Sequence, residues 1–429
     1  MLTAFARAFR TPDLRRKLLF TIAVMAIFRL GSFIPTPGVD YRAVRSAVDL
    51  MQGDTGLLGI VNIFSGGALL QLSIFALGIM PYITASIIIQ LLRVVIPRFE
   101  ALHKEGQAGQ AKMTQYTRYL SIALAILQST TIIVTARQGL LFGFNVLIDD
   151  SIITMLLMVI TMTAGTGLIM WLGELITERG VGNGMSLLIF TSIVAGFPAG
   201  LNSVWQGANG IRNIIVLVAV IVLVVGLVVY VEQSQRRVPV QYAKRMVGRR
   251  MYGGTSTYIP IKINMAGVIP VIFASSILAV PTLIAQFGNQ GSGWVQWVES
   301  NLARQDAALY ITLYALLILF FCFFYTSITF NPDEVADNMK KYGGFIPGIR
   351  AGRTTAEYLD YVITRITSAG ALYLVVIALI PTLIVVLMGM SANLPFGGTS
   401  ILIMVGVGLE TVKQIDSQLQ QRHYEGFLR

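Results

Sequence analysis

The sequence predicts an all-α polytopic membrane protein. Three observations predict it: ten membrane-length apolar stretches nearly free of charge, basic residues gathered on alternating loops, and a composition that is 55% hydrophobic and only 12% charged over 429 residues. A soluble domain of that composition would lack the polar surface to cover its apolar content. Lipid is therefore the solvent for most of the chain.

A span needs roughly 20 predominantly apolar residues, and the candidates fall at 18–34, 74–96, 119–137, 151–173, 184–200, 211–231, 265–286, 308–330, 370–390 and 397–414. The N-terminal segment before the first of them has no signal-peptide cleavage pattern, so that first stretch is expected to stay as a membrane helix. Arg42, Arg45, Arg137, Arg212 and Arg304 lie on one set of loops and Arg29 lies inside the first span. All other Lys and Arg residues lie on or beside the opposite set. Basic loops face the cytoplasm, which places the N- and C-termini inside. The net charge of +11 thus serves topology and contact with anionic lipid or a polyanionic partner, not recognition of a nucleic-acid sequence.

Two inner loops are too long and too patterned to be simple connectors. Residues 236–262 interleave bulky apolar residues with basic ones around Gly253-Gly254, which reads as a twisted hairpin. Residues 331–366 end in an amphipathic stretch, Thr355 to Ile366, expected to lie as a short helix at the membrane surface. The apolar stretch 57–70 is too short to cross and is broken by Ser65-Gly66-Gly67. It is either an interfacial helix or a segment entering the bundle. Non-helical backbone at membrane depth is tolerated only where protein or an aqueous cavity surrounds it, so the second reading implies a cavity.

The central parts of the spans contain no Asp, Glu, Lys or His, and Glu174 and Glu232 fall near inner ends. Ion-coupled transporters and intramembrane proteases keep ionisable groups at that depth. The chain has one cysteine, Cys322, and two distant histidines, His103 and His423, and it lacks HExxH, GxGD and phosphate-loop motifs. No cofactor, metal or catalytic residue is expected. Glycine and proline interrupt several spans: Gly78 and Pro81, Gly165 and Gly167, Gly267 and Pro270, Gly406 and Gly408. Close helix packing explains any one of them. The first and third pairs read as kinks at matching places in the second and seventh spans, as an inverted repeat of five plus five helices would produce.

Several motifs occur in one order along nearly the whole chain. They are Pro35-Thr36-Pro37-Gly38-Val39-Asp40, Asn62-Ile63-Phe64-Ser65-Gly66-Gly67, Ile74 to Ile83, Gln115-Tyr116-Thr117-Arg118, Glu178 to Gly184, Asn264 to Pro270, and Phe345-Ile346-Pro347-Gly348-Ile349-Arg350. In these the chain resembles the bacterial SecY family, the central subunit of the protein-conducting channel. The resemblance implies a ten-helix clamshell of two inverted halves, residues 1–200 and 201–429, with a short re-entrant plug helix at about 57–70 that includes Asn62, Ile63, Phe64, Ser65, Gly66 and Gly67. It implies a pore ring of Ile79, Ile83, Met185, Ile189, Ile269, Ile272 and Ile403, where Met185 departs from the usual isoleucine. It also implies a lateral gate with Thr84 and Gln90 facing Ser275, Ser276 and Val280, whose polar groups would exchange weak hydrogen bonds across the closed seam. For partners it implies SecE, SecG, the SecA ATPase or a translating ribosome docked on Arg249, Arg250 and Arg350, and signal peptides of preproteins as substrate, in a bacterial cytoplasmic membrane. From the residues alone the ring positions are ordinary core isoleucines. The gate hydroxyls can equally bond their own helix backbones. The rival functional readings are a secondary transporter of a small amphiphilic solute and an insertase or scaffold without a through-pore.

Overall fold

The structure, a computed structural model, describes residues 9, 11–50, 65–139, 144–206, 210–242, 245–247, 250–252, 256–287, 292–303, 307–387 and 398–426. In chain order the helices are α1 Pro12–Gly31, α2 Tyr41–Leu50, α3 Met80–Val95, α4 Pro97–Lys104, α5 Gln107–Arg137, α6 Ile152–Arg179, α7 Gly184–Gln206 and α8 Gly210–Gln233. Four strands follow, β1 Gln235–Tyr242, β2 Arg245–Val247, β3 Arg250–Tyr252 and β4 Ser256–Lys262. The chain continues through α9 Ile269–Phe287, α10 Gly293–Val298, α11 Ala308–Thr329, α12 Pro332–Lys341, β5 Gly344–Phe345, α13 Arg353–Leu387 and α14 Gly398–Gly426.

Each of the ten apolar stretches overlaps one helix. Among the described residues five helical stretches are long and apolar enough to cross a membrane: Gln107–Arg137, Ile152–Arg179, Gly210–Gln233, Ala308–Lys341 and Arg353–Pro381. Met80–Arg93, Gly184–Pro198 and Ile269–Leu278 are shorter apolar helices. Leu156, Ile160, Val222, Leu223 and Phe320 are more than half exposed, so large apolar side chains cover the outside as well as the inside. Thr and Ser hydroxyls in the helices mostly donate to a carbonyl of the preceding turn, as Thr131 does to Leu127 O at 2.8 Å and Thr326 to Cys322 O at 2.8 Å. Those groups need no water.

Two of the sequence expectations change at the helix starts. The second span does not run helically from residue 74: residues 74–79 are turns, and α3 begins at Met80. Likewise Gly267 and Pro270 precede and open α9 instead of kinking it. Gly78 has φ 55° and Gly267 φ 61°, a left-handed backbone that a helix cannot pass through. The proline three residues later sits in the first turn, where its missing N–H costs nothing. The matching Gly-x-x-Pro pairs are therefore helix starts, not bends.

Close backbone crossings set the bundle. A Cβ on Gly165 would lie 2.1 Å from Ile74 O, and one on Gly184 would lie 1.8 Å from Gly173 O. Gly406 faces Val268, whereas a Cβ on Gly167 or Gly408 would meet nothing within 4 Å. One buried core joins α8, α9, α11, α13 and the start of α14. Two others join α1, α3, α5, α6 and α7 with the turns after residue 65, and take in Ile403 and Val407 of α14. The domain boundary expected at residue 200 falls inside α7, which continues to Gln206.

The loops 236–262 and 331–366 form one unit, which their separate sequences did not foretell. β1 and β4 make the expected antiparallel hairpin, with Gln235 opposite Lys262 and Gln241 opposite Ser256; its glycine tip lies outside the described residues. β5 then adds to the free edge of β1, Gln241 opposite Phe345 and Tyr242 opposite Gly344, giving the order β4-β1-β5. Val238, Val240 and Ile261 from the hairpin share a core with Met339, Ile346, Leu359 and Val362 from the second loop. Asn331 caps α12, its Oδ1 accepting from Asp333 N at 3.1 Å and Glu334 N at 3.4 Å. The amphipathic stretch 355–366 is not a separate surface helix. It is the first part of α13, a continuous helix of 35 residues, because no glycine or proline interrupts it there and Leu359, Val362 and Ile363 pack under the sheet.

Candidate functional site

The first two turns of four helices meet in two adjoining apolar clusters. α3 starts after Gly78 and supplies Ile79, as its cap residue, and Ile83. α7 starts after Gly182, φ 89°, and Asn183 Oδ1 accepts from Met185 N at 3.1 Å and Ser186 N at 3.4 Å. That cap fixes Met185 and Ile189 in the opening turns. α9 supplies Ile269 and Ile272, and α14 supplies Ile403.

Ile79, Ile189 and Ile403 are buried in one cluster with Ile83, Met185 and Ile272 packed against it. Ile269 joins through Ile83 in an adjoining cluster. All seven expected ring positions are thus contiguous through Ile83, which packs against both clusters. Met185 has a local reason to be unbranched: its Sδ would lie 2.5 Å from a Cβ on Gly173, so the thioether lies along bare backbone of α6. Branched apolar side chains offer no hydrogen bonds to ions or water, and a narrow collar of them dewets.

Non-helical backbone seats against this cluster. Residues 65–79 are turns, with Ser65, Ala68, Leu69, Leu72 and Ser73 fully buried. The part of the expected plug formed by Ser65, Gly66 and Gly67 is therefore not helical, since Gly66 and Gly67 have φ 68° and 88°. Asn62, Ile63 and Phe64 lie outside the described residues. The backbone groups are met by protein: Leu69 N donates to Ser65 Oγ at 3.1 Å, Thr36 N and Oγ1 donate to Leu72 O at 3.0 and 2.7 Å, and Ile74 N donates to Ile34 O at 2.9 Å. The two donors on Leu72 O hold that residue at φ 45°. Arg29, the one basic residue within the first span, donates Nη1–H to Gly66 O and lies 4.6 Å over the Phe33 ring.

The expected gate residues do not bond across a seam. Thr84 Oγ1 donates to Met80 O at 2.9 Å and Ser275 Oγ to Ile272 O at 2.9 Å, both within their own helices. Gln90 Nε2 reaches Ser86 Oγ at 3.5 Å on its own helix, Ser276 Oγ is buried without a partner, and Val280 is exposed. The short hydroxyls of Thr84 and Ser275 find a backbone carbonyl closer than any side chain opposite. α3 instead meets α9 and α11 through Ile83, Ile87 and Leu91 against Ile269, Phe273, Leu317, Phe321 and Phe324. Phe273 and Phe321 pack edge to face at 5.5 Å.

Arg350 is exposed beyond a turn at Gly348, φ 82°, and its carbonyl accepts from the buried Thr355 Oγ1 at 2.9 Å. Arg250 opens β3, and Arg249 lies outside the described residues. The sequence reading missed an ion pair between α5 and α6: Arg118 Nε and Nη2 donate to the two carboxylate oxygens of Glu174, each at 2.7 Å. Its signal was present, since opposite charges stand at the inner ends of consecutive antiparallel spans.

Apolar helix starts that converge inside a bundle with an apolar exterior define a multi-pass helical membrane protein. The SecY family model matches residues 73–412, and the chain belongs to that family. Over their full lengths this chain and the protein translocase subunit SecY of Streptomyces scabiei are 65% identical; with that of Streptomyces galbus the identity is 66%, and with that of Mycobacterium tuberculosis 58%. A solved protein-conducting channel superposes with a TM-score of 0.60 at 20% identity, covering 93% of this chain and 91% of the other. A second solved structure, which concerns the plug domain of SecY, gives 0.60 at 21% identity with the same coverage. Membership of the family makes the chain a channel subunit and not an enzyme.

Proposed function

We propose that this chain forms the pore of a protein-conducting channel in a bacterial cytoplasmic membrane, passing signal-bearing unfolded polypeptides across and releasing hydrophobic segments sideways into lipid. The observation that carries the proposal is the convergence of Ile79, Ile83, Met185, Ile189, Ile269, Ile272 and Ile403 on two adjoining apolar clusters that share Ile83, against which the buried turns 65–79 are seated. Flexible apolar side chains can seal against ions and still deform around a passing chain.

In this reading the ten apolar helices form two inverted halves, α1–α7 and α8–α14, with both termini cytoplasmic. The segment 57–70 is the plug, and the seam of Ile83, Ile87 and Leu91 against Phe273 and Phe321 is the lateral gate, closed by apolar contact in place of hydrogen bonds. Arg249, Arg250 and Arg350 sit on the joined loop unit, where guanidinium groups can fork onto carboxylate or phosphate. That unit would dock SecA or a ribosome, with SecE clasping the bundle and SecG accessory. The energy for transport comes from such a partner, because the chain has no nucleotide-binding motif of its own.

Planar-bilayer conductance tests the collar and plug together. Deletion of residues 57–67 is expected to raise resting ion conductance of the reconstituted channel. Insertion at normal levels with unchanged conductance would overturn the plug, and would favour a scaffold without a through-pore.

A further inference from the structure

Next to the seam, where α11 runs out towards the basic loops, a cavity of about 450 Å³ opens between α11 and α13. Its size falls in the range of roughly 300–1,000 Å³ found for small-molecule sites. Phe320, Phe323 and Phe324 of α11 form one wall, spaced so that they share a helix face. Phe320 and Phe323 are 59% and 41% exposed, so this wall faces outward to lipid, away from the collar.

Two polar features of α13 are aimed at the same space. Asp360 is exposed at the rim and takes part in no ion pair among the described residues. Thr367 lines the wall, is 3% exposed, and its Oγ1 has no hydrogen-bond partner. Its neighbours in the cavity behave differently: Thr326 and Ser327 donate to carbonyls of their own helix at 2.8 and 2.7 Å. A buried hydroxyl in apolar surroundings is costly unless something bonds to it. A lone carboxylate at the mouth of an aromatic slot selects a cation with N–H donors and an apolar tail.

We propose that this cavity binds a membrane lipid with a primary ammonium headgroup, the ammonium paired with Asp360, an acyl chain laid on the three phenylalanines, and Thr367 donating to a lipid ester oxygen. The outward-facing wall favours a lipid over a passing polypeptide. The proposal rests on the membrane placement of α11 and α13, and not on the gate. If the gate reading holds, occupancy has a consequence. Phe324 stacks on Phe320 at 5.9 Å and packs in the seam cluster with Ile87, Phe273 and Phe321, so a bound chain braces the closed seam.

The test uses vesicles holding the chain with its SecE partner and trace phosphatidylethanolamine carrying a diazirine in one acyl chain, with a phosphatidylglycerol probe of the same chains for comparison. After illumination, the α11–α13 peptides are expected to be labelled saturably and up to about fivefold more by the ethanolamine probe, the expectation for an ion pair to an exposed carboxylate. Asp360→Asn removes that preference, Asp360→Glu keeps it, and Thr367→Val weakens saturable labelling. Labelling of the α8 face around Leu223 is unchanged throughout and reports correct insertion. Equal labelling by both probes, or labelling unaltered in D360N or T367V, would mean annular lipid only and overturns the proposal. Displacement of the probe by a signal peptide, but not by unlabelled phosphatidylethanolamine, overturns it in favour of a substrate site.

Discussion

Truncating Ile87 should loosen the proposed lateral seam by an amount set by packing alone. Ile87 is 6% exposed on α3 and belongs to the cluster that joins α3 to Phe273 of α9 and Phe321 of α11. In a water-soluble core, Ile→Ala costs about 2–5 kcal/mol, but much of that is transfer from water. When this seam opens, the side chain meets lipid tails that are as apolar as its former neighbours, so the transfer part cancels. What remains is dispersion, about 0.1–0.2 kcal/mol per atom pair. The three carbons removed from Ile87 make on the order of ten contacts across the seam, of which lipid restores about half on opening. The net is about 0.5–1 kcal/mol, or roughly two- to fivefold in the opening equilibrium. The assay compares transport rates, in vesicles, of a preprotein with a full signal helix and one with a shortened, less apolar signal. In Ile87→Ala the ratio of weak to strong signal should rise by up to roughly fivefold, and Phe273→Ala should give a similar, non-additive rise. An unchanged or lower ratio in a normally inserted I87A channel would refute a seam closed by these side chains.

Three further outcomes follow from other contacts. Arg118→Lys keeps the charge but loses the fork onto Glu174; because both partners are partly exposed, the expected loss is only about 1 kcal/mol, read as a lowered Tm in detergent, and Arg118→Lys should add nothing to Glu174→Gln. Val240→Asp puts a carboxylate at a site 1% exposed between β4 and β5, where no partner awaits it; limited proteolysis should then cut both loops, 236–262 and 331–366, while the membrane helices stay protected, and cutting of only one would contradict the joined sheet. Arg350→Glu should insert and fold normally yet lose at least about tenfold in SecA-driven transport, the scale of one charge-assisted contact turned repulsive; wild-type transport by R350E vesicles would exclude this arginine from docking.

The membrane class and the place of each helix were legible because hydropathy and charge act along the chain, residue by residue. So was the anomaly at Ser65-Gly66-Gly67, whose glycines do take left-handed backbone. What could not be read were contacts made in space. The Gly-x-x-Pro pairs at Gly78 and Gly267 looked like kinks because apolar residues precede them; only φ reveals a helix start. The joining of two loops by β5 depends on a two-residue strand, Gly344–Phe345, far below the length at which alternation shows. The family resemblance assigns Thr84 and Ser275 to a polar seam, but each hydroxyl reaches a carbonyl of its own helix first. The proposed collar is the opposite case. Its isoleucines are indistinguishable in sequence from any other core, and their convergence is visible only once the four helix starts are brought together.

The most direct test of a polypeptide channel is protease protection of a signal-bearing preprotein in vesicles reconstituted from this chain with the proposed SecE partner, driven by SecA and ATP. The account predicts protected, full-length substrate that depends on ATP and on an intact signal. Correctly inserted vesicles that bind SecA yet protect none would contradict it, and would turn attention to flux of small amphiphilic solutes.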